Sequence, residues 1–391
     1  MEMLSKKPLW NDYVLARSGA DQSVKDVFIG LFTSSSRILY LTGIGFDPRG
    51  PEALREFSNI VSTTLATPPS CDLLSITCEG YNLGDMLQEF TSFNADEIKS
   101  LAPWANHHDL SVRTKDEDGK IRTSHETASL LTKLPSNLSD YTDIIVDVSS
   151  MPRVVYLTLI LHLLGYLVPN KQVPDALGKA SSLIVIAAED PELDSKIVSE
   201  EIAGEISTIQ GFSGRLGDGL EQQTPTVLFP VLGEGRKAQL NRVFEIAQNA
   251  EVCPILPHPS KDPRRGDKIL SEYSDFFVDS LGVDKNNLLY ADESNPFEAY
   301  RQLREAMRRY EESLSLLDGC RLWVAPLSSK LITVGIGLAC FECHTTEIES
   351  KRSIGLLYAE PQRYSIGHET KLSSNSTFTA LVLTGPLYQG I

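Results

Sequence analysis

Two hydrophobic patterns alternate along the chain. Short apolar runs rich in Ile, Leu and Val predict strands; longer stretches with apolar residues three and four positions apart predict helices. Strands are expected at 37–46 ("RILYLTGIGF"), 71–80, 143–150 and 181–190, with helices over 51–66, 83–102 and 152–166 after the first three. The alternation restarts at 225–235, then at "VCPILPH", "NNLLYADES", "CRLWVAP", 353–361 and 377–387. Helices are expected after "LGEG", after "PSKDPRRGDK", over 296–317 and over 328–341.

Strand–helix alternation implies parallel sheets with right-handed crossovers. The expected fold is therefore α/β, with two tandem Rossmann-like, doubly wound, mainly parallel sheets. Residues 1–36 are read as a helical preamble, 37–224 as the first Rossmann-like domain and 225–391 as the second. The Gly- and turn-rich segment 191–224 supplies the boundary, and 105–126 is read as a polar connection. The halves repeat weakly in the order of their elements. "GIGFDPRG" answers to "LGEGRKAQ", "DVSSMPR" to "VAPLSSK", and "IVIAAEDPELD" to "GLLYAEPQRYS".

Open α/β sheets bind ligands outside the carboxyl ends of their strands, where these loops are expected. After the first strand, Gly43 and Gly45 allow close backbone approach, Asp47 is an acceptor, and Arg49 is a fork for phosphate or carboxylate. Ser149, Ser150 and Arg153 surround Pro152, which suits the first turn of a helix. In the second half, Gly233, Gly235, Arg236 and Lys237 form one loop, and Ser328, Ser329 and Lys330 the other. Arg264, in the basic loop "KDPRRGDK", follows the next strand of the same half. Helix starts with hydroxyls and cations suit anions. The plainer reading is N-caps, a helix-starting proline and surface charge.

Composition narrows the partners. The chain has 391 residues, 41% hydrophobic, with a net charge of −16. An acidic protein lacks the basic footprint that duplex nucleic acid requires. The N-terminus lacks the apolar core of a signal peptide, and the apolar stretch 154–168 is shorter than a membrane span and contains His162. A cytoplasmic protein with no membrane partner is expected. The six cysteines sit in apolar settings and suggest no disulfide framework.

Asp47, Asp147 and Glu189, at strand ends, are candidate acid–base groups for a hydrolase of nucleotide-like substrates. "LTGIGFDPRG" partly resembles the Gly-rich loop of SAM-dependent methyltransferases, with Glu79 as the acidic partner. "CFECH" at 340–344 has the spacing of c-type haem attachment, but a buried helix end is the simpler reading. His107 and His108 are read as part of a solvated loop. No metal site and no cofactor are expected. The arginines of 299–317 are read as a solvated helix face.

The pattern of strand, Ser-Ser, x-Pro-Arg or Lys and apolar helix, paired with a Gly-containing loop, resembles the CARF and SAVED domains of prokaryotic defence. CARF domains typically carry Thr/Ser-Gly-Gly-Thr-Lys in the late loop. Here 149–153 reads Ser-Ser-Met-Pro-Arg and 328–330 reads Ser-Ser-Lys. The hydroxyl and the cation match; the Gly-Gly pair is absent. The resemblance implies a sensor or adaptor that binds a nucleotide or cyclic oligonucleotide. Its partners would be that small molecule and a separately encoded effector or other protein, with a homodimer left open. It covers most of the chain by architecture.

Overall fold

The computed structural model describes residues 7–19, 23–171, 173, 175–216, 224–280, 287–317, 319–344, 352–366 and 376–389. The first stretch of chain forms β1 (Val14–Arg17), α1 (Val24–Leu31), β2 (Arg37–Ile44), α2 (Arg49–Thr64), β3 (Ser70–Glu79), β4 (Asn82–Leu83), α3 (Asp85–Leu101), β5 (Asn106–Arg113) and α4 (Thr123–Leu130). It continues through β6 (Asp143–Asp147), α5 (Arg153–Leu167), β7 (Ser182–Glu189), α6 (Pro191–Lys196), β8 (Ile197–Ile202) and β9 (Ser207–Ser213). Then come β10 (Thr226–Val231), α7 (Lys237–Ile246), β11 (Glu251–Val252), β12 (Ile255–Pro257), α8 (Arg265–Glu272), β13 (Leu289–Ala291) and α9 (Pro296–Leu314). The last elements are β14 (Cys320–Pro326), α10 (Lys330–Cys343), β15 (Arg352–Tyr358), β16 (Pro361–Ile366) and β17 (Thr377–Thr384).

The fold is α/β with two large, mainly parallel sheets. The chain divides into two compact units, one of Met1–Glu201 with Gln362–Ile391 and one of Ile202–Pro361. The second unit is thus inserted within the first, whereas the sequence suggested two domains in series meeting at 224. The strand at 377–384, expected to end the second domain, pairs antiparallel with β7 of the first. The 1–36 segment holds a strand as well as a helix: β1 pairs antiparallel with β17.

The first sheet runs β1-β17-β7-β6-β2-β3-β5. From β2 the chain winds outward through β3 to β5, then returns to β6 on the other side of β2 and continues to β7. Its direction of winding therefore reverses between β2 and β6. The second sheet, β13-β12-β10-β14-β15-β9, repeats that order. The chain winds from β10 through β12 to β13, returns to β14 on the other side of β10, and passes on to β15. Each fifth parallel strand carries an antiparallel neighbour, β17 or β9.

The late helix of each unit is apolar all round because it is buried all round. In α5 every residue from Val154 to Leu161 is buried, and in α10 every residue from Leu331 to Phe341. Among the described residues, no helix is long and apolar enough to cross a membrane. The polar segment 105–126 contains β5, the outer strand of the first sheet, which pairs with β3 from Asp72↔Asn106 to Glu79↔Arg113. An edge strand with one wet face can be polar along most of its length, so period-2 apolar alternation does not reveal it. His107 and His108 lie in that strand, not in a loop. His107 Nε2 is 2.9 Å from the Ala102 carbonyl oxygen and His108 Nε2 is 3.4 Å from Asp72. The polar segment 191–224 likewise contains α6, β8 and β9.

Candidate functional site

In each unit the reversal of winding leaves a crevice at the carboxyl ends of two neighbouring parallel strands, the usual ligand position in such sheets. The loops singled out in the sequence flank both reversals. Gly43 lies near the end of β2 and residues 45–49 follow that strand, while 148–153 follow β6; residues 232–237 follow β10 and 327–330 follow β14. The two crevices differ in what already occupies their polar groups.

In the first unit the crevice is closed by its own side chains. Arg49 is 2% exposed, and its Nε and Nη2 donate to the two oxygens of Asp47 at 2.8 and 2.6 Å. Nη2 also donates to Asp194 of α6 at 2.8 Å. The expected phosphate fork is therefore committed to two carboxylates. The Ser150 hydroxyl donates to the Gly43 carbonyl at 2.6 Å. A Cβ on Gly43 would lie 2.8 Å from Met151 Cγ, so its missing side chain admits the neighbouring loop. Gly45 faces the Ser150 carbonyl in the same way, more loosely at 3.5 Å. Ser149 is fully buried, and its hydroxyl accepts from the Ala188 N–H at 2.9 Å. Neither serine caps α5; Pro152 stands at the N-cap and Arg153, half-buried, is the first helical residue.

The three candidate acid–base carboxylates have separate structural partners. Asp47 is paired with Arg49. Asp147 is fully buried and accepts from Tyr40 Oη at 3.3 Å, Thr42 Oγ1 at 3.4 Å and the Ser149 N–H at 2.9 Å. Burial, then the Asp147 carboxylate, pushes the Tyr40 phenol well above its ordinary range, so Tyr40 stays a donor. Glu189 lies 3.6 Å from Arg17 on β1 and accepts from Thr379 on β17 at 3.5 Å. Glu79 ends β3 and is exposed.

The second unit's crevice is built differently. A Cβ on Gly233 would lie 2.5 Å from the Leu327 carbonyl oxygen and 3.1 Å from Ser328 Cα, so the two loops abut at the bare glycine. Ser329 caps α10, accepting from the Ile332 N–H at 3.4 Å, and Ser328 is buried. Lys330 and Arg236 are half-buried at the starts of their helices. Gln239 is the third residue of α7, only 1% exposed, and its Nε2 has no hydrogen-bond partner. Thr333, the fourth residue of α10, is fully buried, and its Oγ1 also has none. Helical side chains lean toward the helix N-terminus. The Cα–Cβ bonds of both residues therefore tilt toward the paired helix starts at the reversal.

The loop 233–237 is held by the end of α8. Tyr273 Oη donates to the Gly233 carbonyl at 2.7 Å and accepts from the Arg236 N–H at 3.1 Å. Burial, then the adjacent Glu272, pushes the Tyr273 phenol upward, which keeps its proton on. Both Glu272 oxygens accept from the Gly235 N–H, at 3.0 and 3.1 Å. The cations of 261–268, expected to face an anion, are largely matched locally. Lys268 pairs with Asp262 at 2.6 Å, and Arg265 pairs with Glu293 and lies 3.6 Å from Glu234. Arg264 is exposed. Lys237 pairs with Asp275 at 2.6 Å.

Gln239, Thr333 and Glu272 were not among the residues singled out from the sequence. Gln239 left a faint signal, a polar residue on the face of α7 that Leu240 and Val243 turn inward. Thr333 is hidden in an apolar run, and Glu272 comes from a helix more than thirty residues downstream. The Cys-x-x-Cys-His segment lies at the end of α10, with Cys340 fully buried and the His344 ring 4.8 Å from that of Phe212. Among the described residues no group of three or more His, Cys, Asp or Glu is placed to hold a metal ion. No family model matches the chain, and comparison with curated proteins finds no similar sequence.

Proposed function

We propose that the protein binds a nucleotide-derived ligand at the crevice between β10 and β14 and acts as a sensor or adaptor, not as an enzyme. The observation that carries this reading is the pair of buried, unpartnered polar groups, Gln239 Nε2 and Thr333 Oγ1, at the starts of the two helices that leave the reversal. A buried donor without a partner costs roughly 1–3 kcal/mol, and native proteins seldom keep one without a use. An amide and a hydroxyl suit the edges of a base or the hydroxyls of a ribose. The helix starts and Arg264 favour the phosphate.

Among the described residues, the candidate carboxylates Asp47 and Asp147 are engaged by internal donors, which supports binding over hydrolysis. The resemblance to CARF and SAVED domains supports a nucleotide or cyclic oligonucleotide as ligand, and a protein partner in a prokaryotic defence or signalling system. A structural role for the first unit is a second reading, favoured by its closed crevice.

The test is thermal unfolding of the purified chain against mononucleotides, dinucleotides, cyclic oligonucleotides, SAM and NAD. A ligand that binds the folded state raises Tm as its concentration exceeds Kd. A nucleotide is expected to raise Tm in the wild type and to lose that effect in Gln239→Leu. No shift with any nucleotide, or a shift unchanged in Gln239→Leu, rejects the reading. Turnover of the bound nucleotide would replace it with the enzyme.

A further inference from the structure

We infer that Glu272 occupies the anion position of the 233–237 loop, and that a phosphate or phosphoanhydride group binds there by displacing it. This inference rests on the nucleotide-binding reading above and adds its regulation.

The loop presents backbone N–H groups at the start of a ten-residue helix, α7, and such a helix start suits an anion. Its Gly235 N–H is taken by a carboxylate from the same chain, both Glu272 oxygens lying within 3.1 Å. A half-buried carboxylate on a backbone N–H presents the charge and acceptor geometry that a phosphate oxygen would present. The independent sign of a ligand is Gln239. It is buried four residues beyond Gly235 in the same helix start, its Cα–Cβ bond tilts back toward the loop, and its Nε2 has no hydrogen-bond partner. The loop is thus satisfied where Glu272 reaches it and unsatisfied where Gln239 stands.

Glu272 is free to leave in a way that Tyr273 is not. Tyr273 is fully buried and fixes the loop's shape through Gly233 and Arg236, whereas Glu272 is half-buried at the last position of α8. Exchange of one anion for another at the Gly235 N–H leaves the loop in place and releases the Glu272 side chain. The internal carboxylate therefore sets a threshold: only a ligand with stronger acceptors than one carboxylate is retained.

The test is isothermal titration of inorganic pyrophosphate and of ATP into the full chain and into Glu272→Gln, Glu272→Ala and Glu234→Gln. Removing the competing charge in Glu272→Gln, or the whole side chain in Glu272→Ala, is expected to tighten binding about tenfold, the size of one charge-assisted hydrogen bond. Glu234→Gln removes a neighbouring charge without vacating the Gly235 N–H, and is expected to gain less than about threefold, as for an exposed charge. A gain for pyrophosphate and ATP alike supports the inference with the phosphoanhydride as the sufficient group; a gain for ATP alone supports it with the nucleotide as source. Equal or weaker binding in the Glu272 variants overturns it, as does a gain of the same size in Glu234→Gln. Absence of binding in every variant also overturns it. The nucleotide panel on the wild type and Gln239→Leu judges the parent reading separately.

Discussion

Arg49 grips Asp47 in a two-point fork, Nε to Oδ1 at 2.8 Å and Nη2 to Oδ2 at 2.6 Å, with the arginine 2% exposed. The same Nη2 reaches Asp194. This side chain, which in sequence suggested a phosphate receptor, is a structural pin between the loop after β2 and α6.

Arg49→Leu is expected to destabilise the chain by roughly 3–5 kcal/mol, because it leaves Asp47 buried without its countercharge. Arg49→Lys should recover little, since an ammonium cannot reproduce the fork. Urea unfolding of the two variants beside the wild type measures both. A loss under about 1 kcal/mol for Arg49→Leu would show that the pair is dispensable.

Gln239→Leu should behave in the opposite sense without ligand. It replaces an unpartnered buried donor with an apolar side chain of similar size, and a gain of about 1 kcal/mol is expected. The same urea midpoints show it. A loss of stability would mean that the Gln239 amide is satisfied in solution.

Gly233→Ala should cost about 1–3 kcal/mol, because its Cβ would sit 2.5 Å from the Leu327 carbonyl oxygen, a backbone atom that cannot rotate away. Gly43→Ala should cost less, since the nearest atom is in the flexible Met151 side chain. The order of the two melting temperatures decides.

Two carboxyls give opposite pH dependences. For Asp72, burial pushes the carboxyl up, but hydrogen bonds from Tyr141, Asn106 and His108 outweigh it, and the group titrates below its usual range. Its contribution is present above the unfolded value, about 3.9, and is lost as pH falls through the depressed folded value. Asp143 is 4% exposed, and burial raises it despite hydrogen bonds from Thr142, Ser182 and Ser36. Its penalty is absent below the unfolded value and grows as pH rises through the folded one. Asp72→Asn should therefore flatten the loss of stability between about pH 5 and pH 3, and Asp143→Asn should steepen it. Urea midpoints across that range test both signs.

Much of the scaffold was legible in the chain. The apolar runs that became β2, β3, β6, β7, β10 and β14 fill strands buried on both faces, and such strands announce themselves by composition alone. The apolar helices α5 and α10 did so for the same reason. β5 and β9 were not legible, because an edge strand draws half its identity from a neighbour supplied by distant sequence. Nor was the pairing of β17 with β7 across an inserted unit, since local pattern carries no information about which sheet a strand joins.

The sequence by itself determined the strand–helix alternation, and with it the parallel sheets and the loops at their carboxyl ends, because burial periodicity is a local property. It also placed the glycines, serines and cations within those loops. Only the tertiary structure decided which of these groups are spent. Arg49 meets Asp194, and Glu272 meets Gly235, through packing of elements remote in the chain, and hydrogen-bond satisfaction depends on those neighbours. Gln239 and Thr333 stand out for the converse reason: the fold buries them and gives them no partner.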